Sequence, residues 1–145
     1  MNLTAPVSTI MSRNLITLIP GDPMSAVKEI FSQERIHHIP VVRYTKLVGI
    51  ISKTDFLHFM MGVDLSTDKA TEEKRLREYK VEDIMTTGIA TLESTDRINV
   101  ALEVFAENLF HAIPILEEGK LVGILSTFDI IKKLREEDIA RIKAN

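Results

Sequence analysis

Short apolar runs separated by polar turns set the hydrophobic pattern of this chain. The runs at 39–42 and 47–51 are continuous and rich in leucine and β-branched residues, which is typical of strands that are covered on both faces. A shorter run at 15–18 has the same character. The pattern therefore predicts three strands within the first part of the chain, the second of which is entered through Pro40.

Two helices are predicted around these strands. Apolar residues at 24–31 recur at spacings of three and four, which predicts an amphipathic helix. Asp22 followed by Pro23 favours a helix start, because an acceptor side chain at the N-cap then precedes proline at the first helical position. A second helix is predicted to start at Ser52. The order of elements is then β-α-β-β-α.

The same pattern occurs twice along the chain. Val7 to Leu57 aligns without a gap with Val81 to Ile131, at a constant offset of 74 residues, the distance from Val7 to Val81. A repeat of this length predicts two similar units around a pseudo-two-fold axis, with clefts between them that are natural ligand sites. The predicted fold class is α+β, with two pseudo-symmetric β-α-β-β-α repeats packed as one module. Matching pairs include Ile10/Ile84, Met11/Met85, Thr17/Thr91, Asp22/Asp96, His37/His111, Pro40/Pro114, Gly49/Gly123 and Asp55/Asp129.

The sequence divides into two repeats and a connecting segment. Residues 1–63 form the first repeat, and residues 81–145 form the second repeat together with a C-terminal helix. Between them, residues 64–80 are highly charged and lack aliphatic periodicity, so we expect a solvent-facing linker that is partly helical. The C-terminal helix is predicted to carry an apolar stripe of Ile131, Leu134, Ile139 and Ile142.

Composition limits the class of protein. The chain has 145 residues, of which 45% are hydrophobic, which is enough for one compact domain with a sizeable core. Its apolar runs are shorter than the about 20 residues that a bilayer requires, and its N-terminus lacks the basic and apolar regions of a signal peptide. The chain contains no cysteine, and its net charge is −3. These features favour a cytoplasmic protein that binds neither nucleic acid nor a membrane.

One motif in each repeat carries candidate chemistry. Ser52 and Asp55, like Ser126 and Asp129, place a hydroxyl and a carboxylate three residues apart where a strand leads into a helix. One interpretation is a capping box, in which the serine caps the helix and the acid offsets the helix dipole. The other is a ligand site, since a helix N-terminus attracts phosphate and a carboxylate can accept hydrogen bonds from two ribose hydroxyls. The two interpretations are compatible, and the sequence leaves both open.

The histidines do not predict a metal site. His37, His38 and His111 precede strands and lack an obvious third ligand, so a strand-entry or cleft-lining role is favoured. The sequence contains no pairing of a nucleophile with a base and no metal-ligand spacing. We therefore expect a protein that is not an enzyme and that requires no cofactor or metal.

Both copies contain the same ordered motifs: Ile-Met near the start, a Thr-Leu strand, His-x-Ile-Pro, and Leu-Val-Gly-Ile-x-Ser-x-x-Asp. In this order the motifs resemble the cystathionine-β-synthase (CBS) domain, and the whole resembles a tandem CBS pair. The resemblance covers nearly the entire chain. It implies a regulatory module with two clefts, which in this family often bind adenosine-containing ligands such as AMP, ADP, ATP, NAD or S-adenosylmethionine.

The resemblance also implies roles for individual residues. Asp55 and Asp129 would hold ribose hydroxyls, while Lys53 would add positive charge near phosphate and Phe128 would pack or flank the base. The residues near the phosphates would be Ser52 with Thr54, and Ser126 with Thr127. Adenine would lie against the first strand and the proline-entry backbone, formed by Ile16, Thr17, Ile39 and Pro40, or by Ala90, Thr91, Ile113 and Pro114. The candidates for phosphate partners from the opposite repeat are Arg13, Arg97, His37 and His111.

As a stand-alone CBS pair, the chain is expected to bind AMP, ADP or ATP in its inter-repeat clefts, to sense energy state, and to act on a separate effector protein. The alternatives are a sensor of NAD or S-adenosylmethionine, and a ligand-free structural or dimerisation scaffold. We also expect a disc-like homodimer, because the first and last helices should keep an apolar face after the repeats pack. The residues predicted to form this face are Phe56, Phe59, Met60, Ile131 and Leu134.

Overall fold

A computed structural model of the chain describes residues 1–62 and 68–144. Val63 and the first part of the predicted linker, residues 64–67, lie outside the described residues. The helices are α1 (Met24–Gln33), α2 (Lys53–Met61), α3 (Lys69–Glu78), α4 (Val81–Ile84), α5 (Ile98–Ala106) and α6 (Thr127–Ala144). The strands are β1 (His38–Arg43), β2 (Lys46–Ser52), β3 (Leu92–Glu93), β4 (Ala112–Glu117) and β5 (Lys120–Ser126). This mixture of helices and strands in two repeats confirms the predicted α+β fold.

The chain divides into two compact units that do not coincide with the two sequence repeats. Unit 1 consists of residues 1–15 and 90–145, and unit 2 consists of residues 16–89. Each unit therefore contains most of one repeat together with the leading segment of the other. We define the leading segments as residues 7–15 and 81–89, which are equivalent in the repeat.

In unit 2, β1 and β2 form an antiparallel hairpin. The strands pair from His38 opposite Ser52 to Arg43 opposite Lys46, which confirms the two strands predicted from the apolar runs. The turn contains Tyr44 with a positive φ of 58°, the backbone region that tight hairpin turns favour. This register fixes which residues meet at the open end of the hairpin, where α2 begins.

Unit 1 contains the equivalent hairpin and one further strand. β4 and β5 pair antiparallel from Ala112 opposite Ser126 to Glu117 opposite Lys120. β3 pairs parallel to β4, with Leu92 opposite Ile115. Each pair in this hairpin is the counterpart of a pair in unit 2, so the repeated sequence produces the same register twice.

The first predicted strand of unit 2 is reduced to a single bridge at Leu18. Its N–H donates to the carbonyl of Pro40 (3.0 Å), and its own carbonyl accepts from the N–H of Val42 (2.8 Å). A parallel ladder could extend towards Ile16 only if residue 40 donated an N–H, which proline lacks. Extension in the other direction requires an N–H from residue 20, which is also proline. The prediction of a strand at 15–18 is therefore wrong, because prolines limit the pairing on both sides.

Unit 1 has serine where unit 2 has Pro20. The N–H of Ser94 donates to the carbonyl of Leu116 at 3.0 Å, and β3 accordingly has two residues. Extension before Leu92 is blocked by Pro114, for the same reason as in unit 2. The predicted strand at 89–92 is thus shortened at its start, and the difference between the units follows from one residue.

The helix predicted to start at Asp22 starts later, because Pro23 occupies the N-cap of α1. The carboxylate of Asp22 accepts instead from the N–H of Ile19 in the preceding turn, at 2.9 Å. The first N–H of α1, on Met24, donates to the carbonyl of Tyr79 at 2.9 Å. The prediction of Asp22 as the N-cap is therefore wrong, and a backbone carbonyl from the segment before α4 supplies the missing acceptor.

Each leading segment adds to the hairpin of its unit. Ser12 exchanges two backbone hydrogen bonds with Ile124, at 2.8 and 3.0 Å. Thr86 does the same with Ile50, at 2.9 and 3.0 Å. The leading segment of each repeat is thereby paired with the hairpin of the other repeat.

A methionine in each leading segment packs against a glycine of the hairpin. The sulfur of Met85 lies 2.6 Å from the position that a Cβ at Gly49 would occupy. Met11 lies over Gly123 in the same way. Both positions favour glycine, because a Cβ there would meet the methionine side chain.

Apolar side chains from both parts of each unit form its core. Val81 of the second leading segment is fully buried in unit 2, and Val7 of the first is fully buried in unit 1. The core of unit 2 contains Leu18, Met24, Val27, Phe31, Ile39, Val41, Ile51, Phe56, Phe59, Leu76 and Val81. The core of unit 1 contains Val7, Met11, Leu92, Ile98, Ala101, Ile113, Ile115, Leu125 and Ile130.

The segment predicted as a linker contributes α3 to the core of unit 2. Leu76 on this helix is buried among the apolar side chains. Arg75 stacks over the rings of Phe59 and Tyr79, at 4.6 and 5.0 Å from their centroids. Phe59 is only 6% exposed, and Phe56, whose ring centroid lies 5.9 Å from that of Phe31, is only 9% exposed. The prediction that these two phenylalanines belong to an open apolar face is wrong, because they pack within unit 2.

α6 carries the exposed apolar stripe that the sequence predicts. The exposed fractions are 61% for Ile131, 49% for Leu134, 43% for Ile139 and 67% for Ile142. Although α6 is 18 residues long, neither it nor any other helix in the described part of the chain is long and apolar enough to cross a membrane.

Candidate functional site

A strand-to-helix junction in each unit brings the Ser-x-x-Asp motif next to the histidine motif. In unit 2, β2 ends at Ser52 and α2 begins at Lys53, whose N–H donates to the carbonyl of His37 at 2.7 Å. In unit 1, the N–H of Thr127 donates to the carbonyl of His111 at 3.1 Å. The junction is built in the same way twice because the hairpin register is the same.

Both serine–aspartate pairs form a capping box. The N–H of Ser52 donates to Oδ2 of Asp55 (2.9 Å), and the N–H of Asp55 donates to Oγ of Ser52 (3.0 Å). In unit 1, the N–H and the hydroxyl of Ser126 each donate to Oδ2 of Asp129 at 2.7 Å. The N–H of Asp129 donates in turn to Oγ of Ser126 at 3.2 Å. The capping interpretation of the motif is therefore confirmed as geometry.

A formed capping box leaves the carboxylates able to accept further hydrogen bonds. An ionised carboxylate offers about four acceptor positions on two oxygens, and the capping bonds above engage only Oδ2. Asp55 and Asp129 are both half-buried, so part of each side chain can be reached from solvent. The capping bonds also hold each carboxylate in a fixed direction. The geometry is thus compatible with both interpretations of the motif.

The residues predicted to face the base differ in exposure. In unit 2, Ile39 and Pro40 are fully buried, Ile16 is half-buried and Thr17 is exposed. In unit 1, Ile113 and Pro114 are buried, Ala90 is half-buried and Thr91 is exposed. Ile39, Pro40, Ile113 and Pro114 are therefore closed to a ligand's side-chain contacts, whereas Ile16, Thr17, Ala90 and Thr91 keep exposed surface that a ligand can reach.

The remaining motif residues lie on the first turn of each helix. In unit 2, Lys53 and Thr54 are exposed beside the half-buried Ser52. In unit 1, Thr127 is half-buried and Phe128 is 67% exposed. The two junctions therefore present different chemistry on the same backbone.

Unit 2 has a cleft of about 430 Å³ at its junction, which we call the junction cleft. Lys53 lies on one side, and the segment between α1 and β1 forms the other. The positive charges of Arg35 and Lys53 and the imidazole of His37 line the same space. The lining residues are Phe31, Ser32, Gln33, Glu34, Arg35, Ile36, His37 and Lys53.

Unit 1 has a cleft of about 300 Å³ beside the first turns of α6, which we call the α6 cleft. Asp129 lies in it, together with two lysines and Glu136 one and two turns further along the helix. The opposite side is formed by the first leading segment. The lining residues are Thr9, Ile10, Met11, Ser12, Asp129, Lys132, Lys133 and Glu136.

Of the predicted site residues, Lys53 and His37 line the junction cleft and Asp129 lines the α6 cleft, whereas Asp55 lines neither. The structure adds charged residues that the sequence pattern did not indicate. Arg35 lies in the junction cleft, and Lys132 and Lys133 lie in the α6 cleft. None of the three is repeated in the other copy, so the comparison of repeats gave no signal for them. The position of Arg35, two residues before the histidine motif, could have indicated that it lies near the junction.

The other basic candidates, Arg13, Arg97 and His111, do not line these clefts. The guanidinium of Arg13 donates to the carbonyl of Ser8 at 3.3 Å. Arg97 is exposed at the N-cap of α5. Neither arginine lines the junction cleft or the α6 cleft. Across residues 1–62 and 68–144, no group of three or more His, Asp or Glu side chains has the arrangement of a metal site.

Two carboxyl groups outside the junctions have lowered pKa values. Hydrogen bonds from Thr71 lower the pKa of Asp68, which caps α3. A hydrogen bond from the N-terminal ammonium of Met1, 2.6 Å away, lowers the pKa of Glu137. Both interactions stabilise the charged form of the carboxyl group, and both serve the structure of their unit.

A family model described as CBS domain matches the chain twice, at residues 7–62 and 81–136. The uncharacterized protein MJ1225 of Methanocaldococcus jannaschii is 25% identical over 129 residues, covering 87% of this chain and 46% of that protein. Inosine-5′-monophosphate dehydrogenase of Thermoplasma acidophilum is 27% identical over 134 residues, covering 92% of this chain and 24% of the enzyme. The chain thus spans about a quarter to a half of these relatives.

Solved structures have the same fold over nearly the whole chain. The structure of CBSX2 in complex with AMP has a TM-score of 0.76 and 20% identity, covering 91% of this chain and 97% of that one. The CBS domain pair of protein MJ0100, in complex with 5′-methylthioadenosine and S-adenosyl-L-methionine, has a TM-score of 0.72 and 22% identity. That match covers 92% of this chain and 98% of the other.

Proposed function

The chain belongs to the CBS domain family, and we propose that it is a regulatory CBS pair that binds an adenosine-containing ligand, AMP, ADP or ATP, and acts on a separate partner protein. The observation that carries the proposal is the same in both units. A half-buried carboxylate, Asp55 or Asp129, is held by a capping box on the first turn of a helix that follows a hairpin. Acceptor and helix N-terminus are therefore fixed next to each other.

The carboxylate would hold the ribose. The 2′ and 3′ hydroxyls of ribose are neighbouring donors, and a carboxylate can accept from both. The bond from the N–H of Ser52 already orients Asp55, so little side-chain entropy is lost when the ligand binds. The bonds from Ser126 do the same for Asp129. The capping box then prepares the ribose site rather than competing with it.

The phosphate groups would lie at the helix N-terminus. In unit 2 the dipole of α2 and the exposed side chains of Lys53 and Thr54 favour an anion there. His37 and Arg35 line the same cleft as Lys53, so basic groups approach from both sides. The base would lie towards the exposed Thr17, or Thr91 in unit 1, where a hydroxyl can recognise a purine edge.

The class of ligand is supported by the relatives. CBSX2 is described in complex with AMP, and the MJ0100 pair in complex with 5′-methylthioadenosine and S-adenosyl-L-methionine. These three ligands share adenosine and differ at the 5′ position. The shared part is the one that the carboxylate and the threonine of each unit would contact in this chain.

Calorimetric titration with AMP tests the proposal on Asp55→Asn, Asp129→Asn and the double variant. Each change removes charge-assisted hydrogen bonds of about 1.5–3 kcal/mol, so affinity in that unit should fall roughly tenfold to a hundredfold. Asparagine keeps the shape and one acceptor, so the capping geometry and the free energy of unfolding should change by less than about 1 kcal/mol. A loss of affinity without a loss of stability is the expected result.

Asp83→Asn is the matched control. Asp83 accepts from the N–H of Lys80 at 2.8 Å at the start of α4, and it lines neither the junction cleft nor the α6 cleft. This variant should bind AMP as the parent does. If the double variant retains the parent's affinity for AMP, ADP and ATP, the carboxylates do not hold the ligand and the proposed site is wrong.

A ligand-free scaffold is the second candidate, and the completed capping boxes are the observation that favours it. Only a binder gains stability with added ligand, by RT ln(1 + [L]/Kd). Thermal unfolding with AMP, ADP, ATP, NAD, 5′-methylthioadenosine and S-adenosylmethionine separates the candidates. A rise in Tm with at least one of these ligands supports the sensor, and an unchanged Tm with all of them supports the scaffold.

We also propose that a second copy covers the exposed stripe of α6 in a homodimer. Ile131 and Ile142 are 61% and 67% exposed, and a row of such residues favours burial against another surface. Light scattering should report twice the chain mass of 16.4 kDa. Replacing Ile131 and Leu134 with serine should give the monomer, whereas Arg135→Ser should leave the dimer intact. A monomeric parent would contradict the proposal.

A further inference from the structure

We infer that the two units select different 5′ substituents on adenosine: unit 2 a polyphosphate, and unit 1 an uncharged or cationic group. The inference rests on the proposed function, since it concerns ligand choice at the same sites. Equivalent positions can be compared because the junctions share one backbone hydrogen bond, from Lys53 to His37 and from Thr127 to His111. Different side chains at equivalent junction positions therefore stand on the same local backbone.

The junction of unit 2 is positively charged. Its cleft of about 430 Å³ is lined by the two cations Arg35 and Lys53 and by one carboxylate, Glu34, which gives a formal charge of +1 with His37 neutral. Arg35 and Lys53 are exposed, and the exposed Thr54 follows Lys53 on the first turn of α2. A chain of two or three phosphates in this cleft would find two cations and the first residue of α2.

The equivalent positions in unit 1 have lost these cations. Leu109 replaces the arginine, Thr127 replaces the lysine, and Phe128 replaces the threonine. Leu109 and Phe128 are 75% and 67% exposed, so apolar surface stands where unit 2 has charge. Glu107 and Asn108 stand where unit 2 has glutamine and glutamate, which gives these positions a formal charge of −1. A polyphosphate would be repelled there, whereas an apolar or cationic 5′ group would gain contacts.

The lysines of the α6 cleft do not restore the missing charge. Lys132 and Lys133 share that cleft with Asp129 and Glu136, so its formal charge is balanced. They also lie about one helical turn, roughly 5 Å, beyond Asp129 along α6, whereas the junction lies before it. The charge difference between the junctions therefore remains.

Titration of single-site variants tests the inference. Asp129→Asn isolates the site in unit 2, and Asp55→Asn isolates the site in unit 1. The ligands are 5′-methylthioadenosine, AMP, ADP and ATP, which share adenosine and differ in 5′ charge. In unit 2 the affinity should rise with each phosphate and fall with ionic strength, since exposed charges are screened by salt. In unit 1 it should be highest for 5′-methylthioadenosine and lowest for ATP.

Exchanging the junction residues sharpens the test, because each new residue already occupies the equivalent position of this chain. Arg35→Leu with Lys53→Thr should weaken ATP binding in unit 2 by about tenfold or more, and should change 5′-methylthioadenosine binding by less than about threefold. Leu109→Arg with Thr127→Lys should strengthen ATP binding in unit 1 by a similar factor. Circular dichroism should report the fold unchanged, since Arg35, Lys53 and Leu109 are exposed and Thr127 is only half-buried.

Failure of the inference and failure of the proposed function give different results. If the parent binds none of the four ligands, both the proposed function and the inference are wrong. If both single-site variants bind adenosine ligands with the same dependence on phosphate number, the function stands and the inference is wrong. If the exchanged residues leave the ATP affinities unchanged, these residues do not determine the choice.

Discussion

Unit 1 and unit 2 share the same hairpin and helix start, yet their last helices differ in the burial of their apolar residues. In unit 2, α2 is short, and its Phe56 and Phe59 are buried with α3 packed beside them. In unit 1, α6 continues for 18 residues and exposes Ile131 and Leu134. The two helices begin with the same serine–aspartate capping box, but their other side chains differ from the first turn onward.

The comparison separates two classes of residues. Residues that repeat, such as the serine–aspartate pairs and the glycines facing Met11 and Met85, build the shared backbone and the capping boxes. Residues that do not repeat, such as Arg35 and Lys53, give the two units different surface chemistry. A duplicated sequence can thus keep its fold while the exposed side chains of its copies differ.

The largest expected effect distinguishes the two last helices directly. Phe59 is 6% exposed in the core of unit 2, whereas its counterpart in unit 1 is Lys133, which is half-exposed. Phe59→Ala should lower the free energy of unfolding by about 3–5 kcal/mol, because it removes a large buried ring and leaves a cavity. Lys133→Ala should change it by about 0.5 kcal/mol or less. Equal effects in chemical denaturation would contradict the described packing.

Each leading segment packs on the hairpin of the other repeat, and this packing predicts the effect of changing the covered glycines. Gly49→Ala and Gly123→Ala should each destabilise by about 1–3 kcal/mol, because the added methyl meets the methionine that covers the glycine. Similar costs in the two units would agree with the shared frame. Denaturant unfolding of both variants provides the measurement.

A double-mutant cycle identifies which methionine covers which glycine. Gly49→Ala combined with Met85→Ala should show a coupling energy of about 0.5–3 kcal/mol, since the second change makes room for the first. Gly49→Ala combined with Met11→Ala should be additive, because Met11 covers Gly123 in the other unit. Coupling of Gly49 with Met11 instead would mean that each leading segment stays with its own repeat.

The fold could be predicted from the sequence where a local pattern favours one structure for a physical reason. Continuous apolar runs gave the hairpins, and the Ser-x-x-Asp motif gave the capping boxes. The exchange of leading segments could not be predicted, because Met11 and Met85 match each other and either could cover Gly49. The shortened first strands were predictable in principle, since Pro40 and Pro114 lack the N–H that the ladder needs.

The candidate site was predictable only in its repeated part. Asp55 and Asp129 stand out because they recur at equivalent positions in a motif with a physical role. Arg35 and Lys132 do not recur, and it is the folding of the chain that brings them into clefts with motif residues. The burial of Phe59 could not be predicted for a related reason. The charged segment that contains Arg75 lacks the apolar periodicity from which a packed helix such as α3 would be predicted.

The smallest expected effect concerns α3, which has no counterpart among the described residues of unit 1. Hydrogen bonds from Thr71 lower the pKa of Asp68 in the folded state. The charged cap therefore stabilises α3 at pH values above the ordinary aspartate pKa of about 3.9. This contribution is lost as the pH falls through the lowered pKa. Asp68→Asn should flatten the acid side of the stability profile slightly. An NMR titration that finds the Asp68 carboxyl at or above its ordinary pKa would contradict this.

A crystal structure of the chain with AMP is the most direct test of the central claim, that a carboxylate on the capping box of each unit holds ribose. The account predicts ribose hydroxyls at hydrogen-bond distance, about 2.6–3.2 Å, from the carboxylate of Asp55, Asp129 or both. The bonds from the N–H groups of Ser52 and Ser126 should remain intact beside the ligand. AMP bound with its ribose away from both carboxylates would contradict the account.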